Sequence, residues 1–136
     1  MRTLHFRALI AIAILPLLFC SCFLDNKAAE TGKAFLENMY SCNFEACDEL
    51  CTNKGREEVR WFASNLTEDD LALISPDFEI EIKGSEATDS ITTVSYYAKN
   101  VIICDSLETK GHLGERSLKV TLKNDGGTWK VDKLKW

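Results

Sequence analysis

Positive charge, histidine and reactive-thiol motifs are all scarce in this chain. The 136 residues carry 16 Lys and Arg against 21 Asp and Glu, a net charge of −5. Arg2 and Arg7 stand near the start with no acid beside them, so from residue 22 onward 14 basic residues face 21 acidic ones, or −7. An acidic chain with no basic stripe argues against nucleic-acid binding. It also argues against docking of a folded surface on anionic lipid. Histidine occurs only at His5 and His112. His112, between Gly111 and Leu113, has no Cys or carboxylate at ligand spacing, which fits a solvated loop residue better than a metal ligand or catalyst. A Cys-x-x-Cys pair is absent, which removes a dithiol redox site. No serine has a nucleophile-elbow context, and no glycine-rich phosphate loop follows a strand. There is no internal repeat, no low-complexity segment and no run of the ~20 apolar residues that a spanning helix needs.

What the sequence does have begins with a leader. Arg2, His5 and Arg7 form a positive start, and Ala8 to Cys20 is an apolar run of 13 residues broken only by Pro16. That is the pattern of an export signal. At its end, Phe19-Cys20-Ser21-Cys22 resembles the lipobox of bacterial lipoproteins, in which a small residue precedes the cysteine that receives the lipid. Ser21 and Cys22 match those two positions, so the resemblance makes Cys22 the acylated (palmitate-type) residue. Phe19 and Cys20 depart from the usual Leu and small residue. An uncleaved N-terminal anchor is the alternative, since apolar character continues through Phe23 and Leu24. Both readings tether the chain to a membrane of a bacterial envelope, outside the cytoplasm. Phe23 rather than Asp follows Cys22, which by resemblance favours the outer over the inner membrane; periplasmic and surface exposure both stay open. Residues 1–21 are then a signal peptide, 22–27 the lipidated cysteine and a short linker, and 28–136 one domain. About 115 residues suffice for a core without a metal.

Helical spacing dominates the first half. Ala28, Gly32, Phe35, Leu36 and Met39 predict a helix over 27–42. Gly32 costs about 1 kcal/mol in an exposed helix, so it points to close packing. Asn43 is placed to cap a short second helix, Asn53 to Leu66 reads as a third, and Thr67-Glu68-Asp69-Asp70 is a capping signal for a last turn before Pro76. From Asp77 the period becomes two. Phe78, Ile80 and Ile82 form one strand face, with a turn expected at Gly84-Ser85-Glu86. Ile91 to Cys104 is a longer strand with a bend at Asn100. Ser106 to Gly114 reads as a loop. Leu118, Val120 and Leu122 then lead through Asn124-Asp125-Gly126-Gly127, a strong hairpin turn, into Thr128-Trp129-Lys130-Val131. Trp129 and Val131 have the opposite parity to Leu134 and Trp136, which a bulge near Asp132 or Lys133 would reconcile.

Helices followed by four strands, ending Gly127-x-Trp129-Lys130-Val131-Asp132, resemble the nuclear-transport-factor-2-like (cystatin-like cone) superfamily. Phe44 to Cys51 is similar to that family's short second helix. The chain also resembles small bacterial lipoproteins of unknown role, some described as lumazine-binding-like. The resemblance covers residues 27–136 in element order. It implies an α+β fold, with N-terminal helices packed on a curved, mainly antiparallel sheet that forms a cone. A cone can be an active site, a ligand pocket or a filled core, and fold does not decide which.

The residues expected to line such a pocket are Tyr96, Trp129, Phe78 and Val94, with Asp132 at the presumed bulge. An isomerase or cyclase would need an Asp, Glu or His projecting into the cone as general base. The inward strand positions supply only the phenol of Tyr96, which is commonly a core residue with a satisfied hydroxyl. Asp132 is the remaining candidate base, and a solvated strand-end Asp is its plainer reading. No catalytic set, metal site or cofactor is therefore assigned. Four cysteines remain after Cys22, and an even number in an exported domain suggests disulfides. Cys51 with Cys104, and Cys42 with Cys47, are the expected pairs; free buried thiols are the alternative. Trp61 cannot share its helix's inward face with Phe62, so with Trp136 and Tyr97 it is a candidate contact surface. The sequence thus points to a lipid-anchored domain that binds a small apolar ligand or an envelope protein without catalysis. A purely protein-binding module with a filled core and an isomerase-type enzyme are the rivals. The resemblance also leaves a dimer through the outer sheet face open.

Overall fold

The structure, a computed structural model, describes residues 27–88, 90–106 and 108–136. The leader, Cys22 and the rest of the linker lie outside the described residues. Four helices precede four strands: α1 (residues 27–40), α2 (Phe44–Glu49), α3 (Asn53–Ser64), α4 (Glu68–Leu73), β1 (Glu79–Thr88), β2 (Ile91–Ile103), β3 (His112–Asp125) and β4 (Thr128–Lys135). The strands form one antiparallel meander in sequence order. The fold is α+β, as the change of period at Asp77 predicts. Among the described residues no helix is long and apolar enough to cross a membrane.

Helix α1 buries one stripe completely. Phe35, Leu36, Met39 and Tyr40 face the sheet and join Val94, Tyr96, Leu118, Val120, Leu122 and Val131 in one continuous core. The helix approaches β2 closely at Gly32, where a Cβ would overlap the Tyr96 hydroxyl. That hydroxyl donates to the Ala29 carbonyl at 2.7 Å. It borrows a backbone acceptor from the first turn of α1 and fixes the depth of the contact. The α1–α2 turn is tight, with Cys42 at φ 63°.

Local capping sets the later helices. Thr52 caps α3 by accepting from the Gly55 amide at 3.2 Å. Thr67 and Asp70 form the expected reciprocal capping box on α4. Asp70 does more than cap. Its second oxygen accepts from the Gly111 amide at 3.1 Å, so one buried carboxylate ties α4 to the loop before β3. Asn43 flanks α2 without a side-chain cap bond.

Each strand pair carries one register irregularity, and two of the three were expected. Asn100 sits at φ 58° where the β2–β3 register shifts. On β4 the extra residue is Asp132: Thr121 pairs with Lys133 and Leu122 with Val131, so both Val131 and Leu134 point into the core. The third corrects the sequence reading. Gly84 does not turn the chain; β1 runs on to Thr88, with a bulge at Lys83 between Ile82 and Gly84. A glycine inside a strand pattern marks a bulge as readily as a turn. Ile82 shares the inward side yet is 43% exposed, because it sits on the edge strand beside this bulge. Likewise β3 starts at His112, inside the expected loop. The closing hairpin is as expected, with Gly126 and Gly127 both at positive φ and Asn124 accepting from the Gly127 amide at 2.9 Å.

The Gly32 contact is directly testable. Ala normally stabilises an exposed helix over Gly by about 1 kcal/mol. Here Gly32→Ala should instead lower stability by roughly 1–2 kcal/mol in urea unfolding, because the added methyl collides with Tyr96. The loss should shrink in a Tyr96→Phe background, and a stabilised Gly32→Ala single variant would show that α1 does not lie this close.

Candidate functional site

The residues expected to line a cone pocket are not gathered around one opening. Val94 and Tyr96 are fully buried core residues. Phe78 is half-buried and packs on the Tyr40 ring, 6.4 Å between centroids. Trp129 is also half-buried, at the other end of the sheet, where it lines a cavity of about 390 Å³ with Lys27, Glu30, Thr31, Leu50 and Lys130. Asp132 is buried at the β4 bulge. It accepts from the Thr52 hydroxyl at 2.8 Å and pairs with Lys123 at 3.4 Å. Its environment is a clasp between the α2–α3 junction and β4. The backbone there repeats the join: Val131 donates to the Leu50 carbonyl at 2.8 Å, and Thr52 donates to the Val131 carbonyl at 2.9 Å.

The interior has little to offer acid–base chemistry. The phenols of Tyr40 and Tyr96 are both pushed well above the ordinary tyrosine value by burial, so each stays protonated at neutral pH. Among the described residues no group of three or more His, Cys, Asp or Glu side chains is placed to hold a metal. His112 is exposed at the start of β3.

All four described cysteines are free thiols, and neither expected disulfide is formed. Cys104 lies in the field of Asp70, Asp105, Arg116 and Cys42, whereas Cys51 lies in that of Asp48, Arg56 and Lys130. Cys47 lies within electrostatic reach of Cys42 and Cys51 and donates weakly to the Phe35 carbonyl at 3.5 Å. Burial is the main cause that raises the thiols, to about 12 at Cys47 and Cys51 and about 11 at Cys104. Such thiols are packing groups rather than nucleophiles at neutral pH.

Comparison with known proteins adds no relative. No family model, no curated protein and no solved structure matches this chain.

Two surface features remain. The first is aromatic. Trp61, 43% exposed on α3, packs on Trp136 at 5.8 Å between centroids, and Trp136 stacks on Phe62 at 5.9 Å. Arg116 lies over the Trp136 ring at 5.2 Å. Tyr97, expected to join them, instead lies on the outer sheet face, where it donates to Glu115 beneath Lys83 and Lys99. The β2 alternation puts Tyr96 inward, and therefore Tyr97 outward.

The second feature was not read from the sequence. Residues 116–136 hold six basic side chains and two acids, while residues 27–115 hold eight and 18. Pairing of β3 with β4 collects Lys119, Lys123, Lys130, Lys133 and Lys135 on the outer face. The signal was there in the alternation Leu118-Lys119-Val120-Thr121-Leu122-Lys123, but the matching lysines of β4 fall into line only once the bulge is placed. A groove of about 350 Å³ opens on this face, between Lys83, Ser95, Ser117, Lys119, Lys135 and Trp136, with Tyr96 and Leu118 also contributing to its wall.

Two measurements check the thiols. Alkylation of the native protein should label Cys42, the only half-buried one of the four, and spare Cys47, Cys51 and Cys104 until unfolding; early labelling of Cys104 would contradict its burial. The raised thiols also bind protons in the folded state that the unfolded chain releases above their ordinary value of 9.0. Their contribution to stability is therefore intact below that pH and falls as pH rises toward about 12. The urea midpoint should decline across that window, and less steeply in a Cys47→Ala/Cys51→Ala variant.

Proposed function

We propose that this chain is a membrane-tethered, extracytoplasmic binding module with a filled core, which engages an envelope protein from the outside of the domain and carries out no catalysis. The observation that carries the reading is the closed interior. The helix and strand side chains that would line an open cone are instead packed on one another, with Phe35, Leu36, Met39, Val94, Val120 and Leu122 without solvent exposure. A small apolar ligand inside the cone would have to displace them. In this reading the element order is that of the nuclear-transport-factor-2-like cone, used as a scaffold and not as a pocket. The anchor reading rests on Ser21-Cys22 and the apolar run before it.

The contact surface in this proposal is centred on Trp61 and Trp136. A half-exposed tryptophan backed by a second aromatic ring and an arginine has the composition that dominates binding energy at protein interfaces. Crosslinking in the intact envelope tests it. Trp61→Ala should abolish partner capture while leaving the urea midpoint nearly unchanged, since an exposed side chain contributes under ~1 kcal/mol. Unchanged capture would sink this surface. For the anchor, labelled palmitate should enter the wild type and not Cys22→Ala; equal labelling of the two would refute the lipidation site.

A further inference from the structure

The outer face of the sheet carries a feature that folding alone does not favour. Lys119 pairs directly with Lys135, and Lys123 directly with Lys130. Like charges placed opposite one another across strands are destabilising. Two of these four lysines are compensated: Lys123 pairs with Asp132 at 3.4 Å, and Lys130 donates to the Glu49 carbonyl at 2.5 Å. Lys119 and Lys135 have no ion pair or hydrogen bond among the described residues. Both line the groove of about 350 Å³, and its floor includes the hydroxyl-bearing Ser95 and Ser117. Lys83 stands at its rim, held at 2.9 Å from Glu81, which is shared with Lys99. A neighbouring hollow of about 250 Å³ continues the groove past Ser95 and Lys119 toward Gly84, Thr93 and the acidic Glu86 at its far end.

We propose that this groove binds the phosphate group of a small ligand between Lys119 and Lys135. The donor set fits that chemistry. Ammonium groups are compact charges with three donors each, suited to a tetrahedral anion with several oxygens. Serine hydroxyls add donors that turn to meet it. A planar carboxylate is better served by an arginine fork, and Arg116 is instead engaged with Asp105 at 2.7 Å. An anion seated there relieves the repulsion between two lysines that the empty sheet must tolerate. The groove shares Trp136 with the proposed Trp61 surface, but its lysines lie on the outer sheet face, and it stands whether or not that surface binds a protein.

The phosphate can belong to a soluble ester or to a lipid headgroup, and one experiment separates the sources. The full chain, held in neutral detergent micelles, is titrated with inorganic phosphate, with glycerol 3-phosphate, and with short-chain phosphatidylglycerol against short-chain phosphatidylcholine. Side-chain resonances of the lysines and amide shifts of Ser95 and Ser117 are followed. Saturable shifts with the soluble phosphates identify a soluble ligand; shifts with phosphatidylglycerol alone identify a headgroup. Lys119→Gln/Lys135→Gln should weaken either response at least about tenfold, whereas Lys133→Gln, which faces outward beyond the groove, should leave it intact. Lys119→Gln alone should also raise the melting temperature slightly by removing the repulsion. No saturable shift with any of the probes, an equal response to chloride, or an equal loss in Lys133→Gln would overturn the site.

Discussion

The contact between α1 and β2 is the constraint on which the rest of the domain depends. Gly32 lets the helix backbone come close enough for Tyr96 to reach the Ala29 carbonyl. A phenol buried without a partner would cost 1–3 kcal/mol, so the hydroxyl and the missing side chain are one device. Once α1 is seated at that depth, Phe35, Leu36, Met39 and Tyr40 pack directly on the inward side chains of the sheet. The closed interior is thus a consequence of helix depth, and depth is a consequence of one glycine.

The second and third helices bury Cys47, Val59 and Phe62 in the core and are also held to the sheet by polar clasps. Residues 50–52 lie along the free edge of β4 and exchange two backbone hydrogen bonds with Val131. Thr52 serves two purposes there: its hydroxyl oxygen accepts from the Gly55 amide to start α3, and its proton goes to Asp132. Asp70 repeats the arrangement at the other end, with one oxygen for the α4 cap and the other for Gly111. In both cases a side chain that caps a helix also bridges distant elements. Each bridge also covers polar backbone at an edge or loop that would otherwise face solvent.

Much of this architecture was legible because the signals are local. The two hydrophobic periods, the Thr67–Asp70 capping box, the bend at Asn100 and the Gly126-Gly127 turn depend on residues within a few positions of one another. The misread features depend on partners far away. Gly84 looks like a turn until β2 is present to pair with the segment beyond it. Tyr96, Trp129 and Asp132 looked like one pocket because strand parity assigns a face and says nothing of position along it. The cysteines meet the same limit: an even count states that pairing is available, and the separate surroundings of Cys51 and Cys104 are not visible in it. The groove on the outer face was missed because composition averages over the whole chain. Ten excess acids on residues 27–115 conceal four excess bases on residues 116–136.

The bulge at Asp132 works as a parity switch. With strict alternation from Val131, Lys133 and Lys135 would point into the apolar core and Leu134 into water. The single extra residue inverts that order for everything that follows, so a backbone irregularity one residue long determines which face of the sheet is charged. The sign of this surface is therefore encoded in register as much as in composition. Losing or gaining one residue between Val131 and Lys133 would exchange the domain's inside for its outside along the rest of β4 while leaving its amino-acid content almost unchanged.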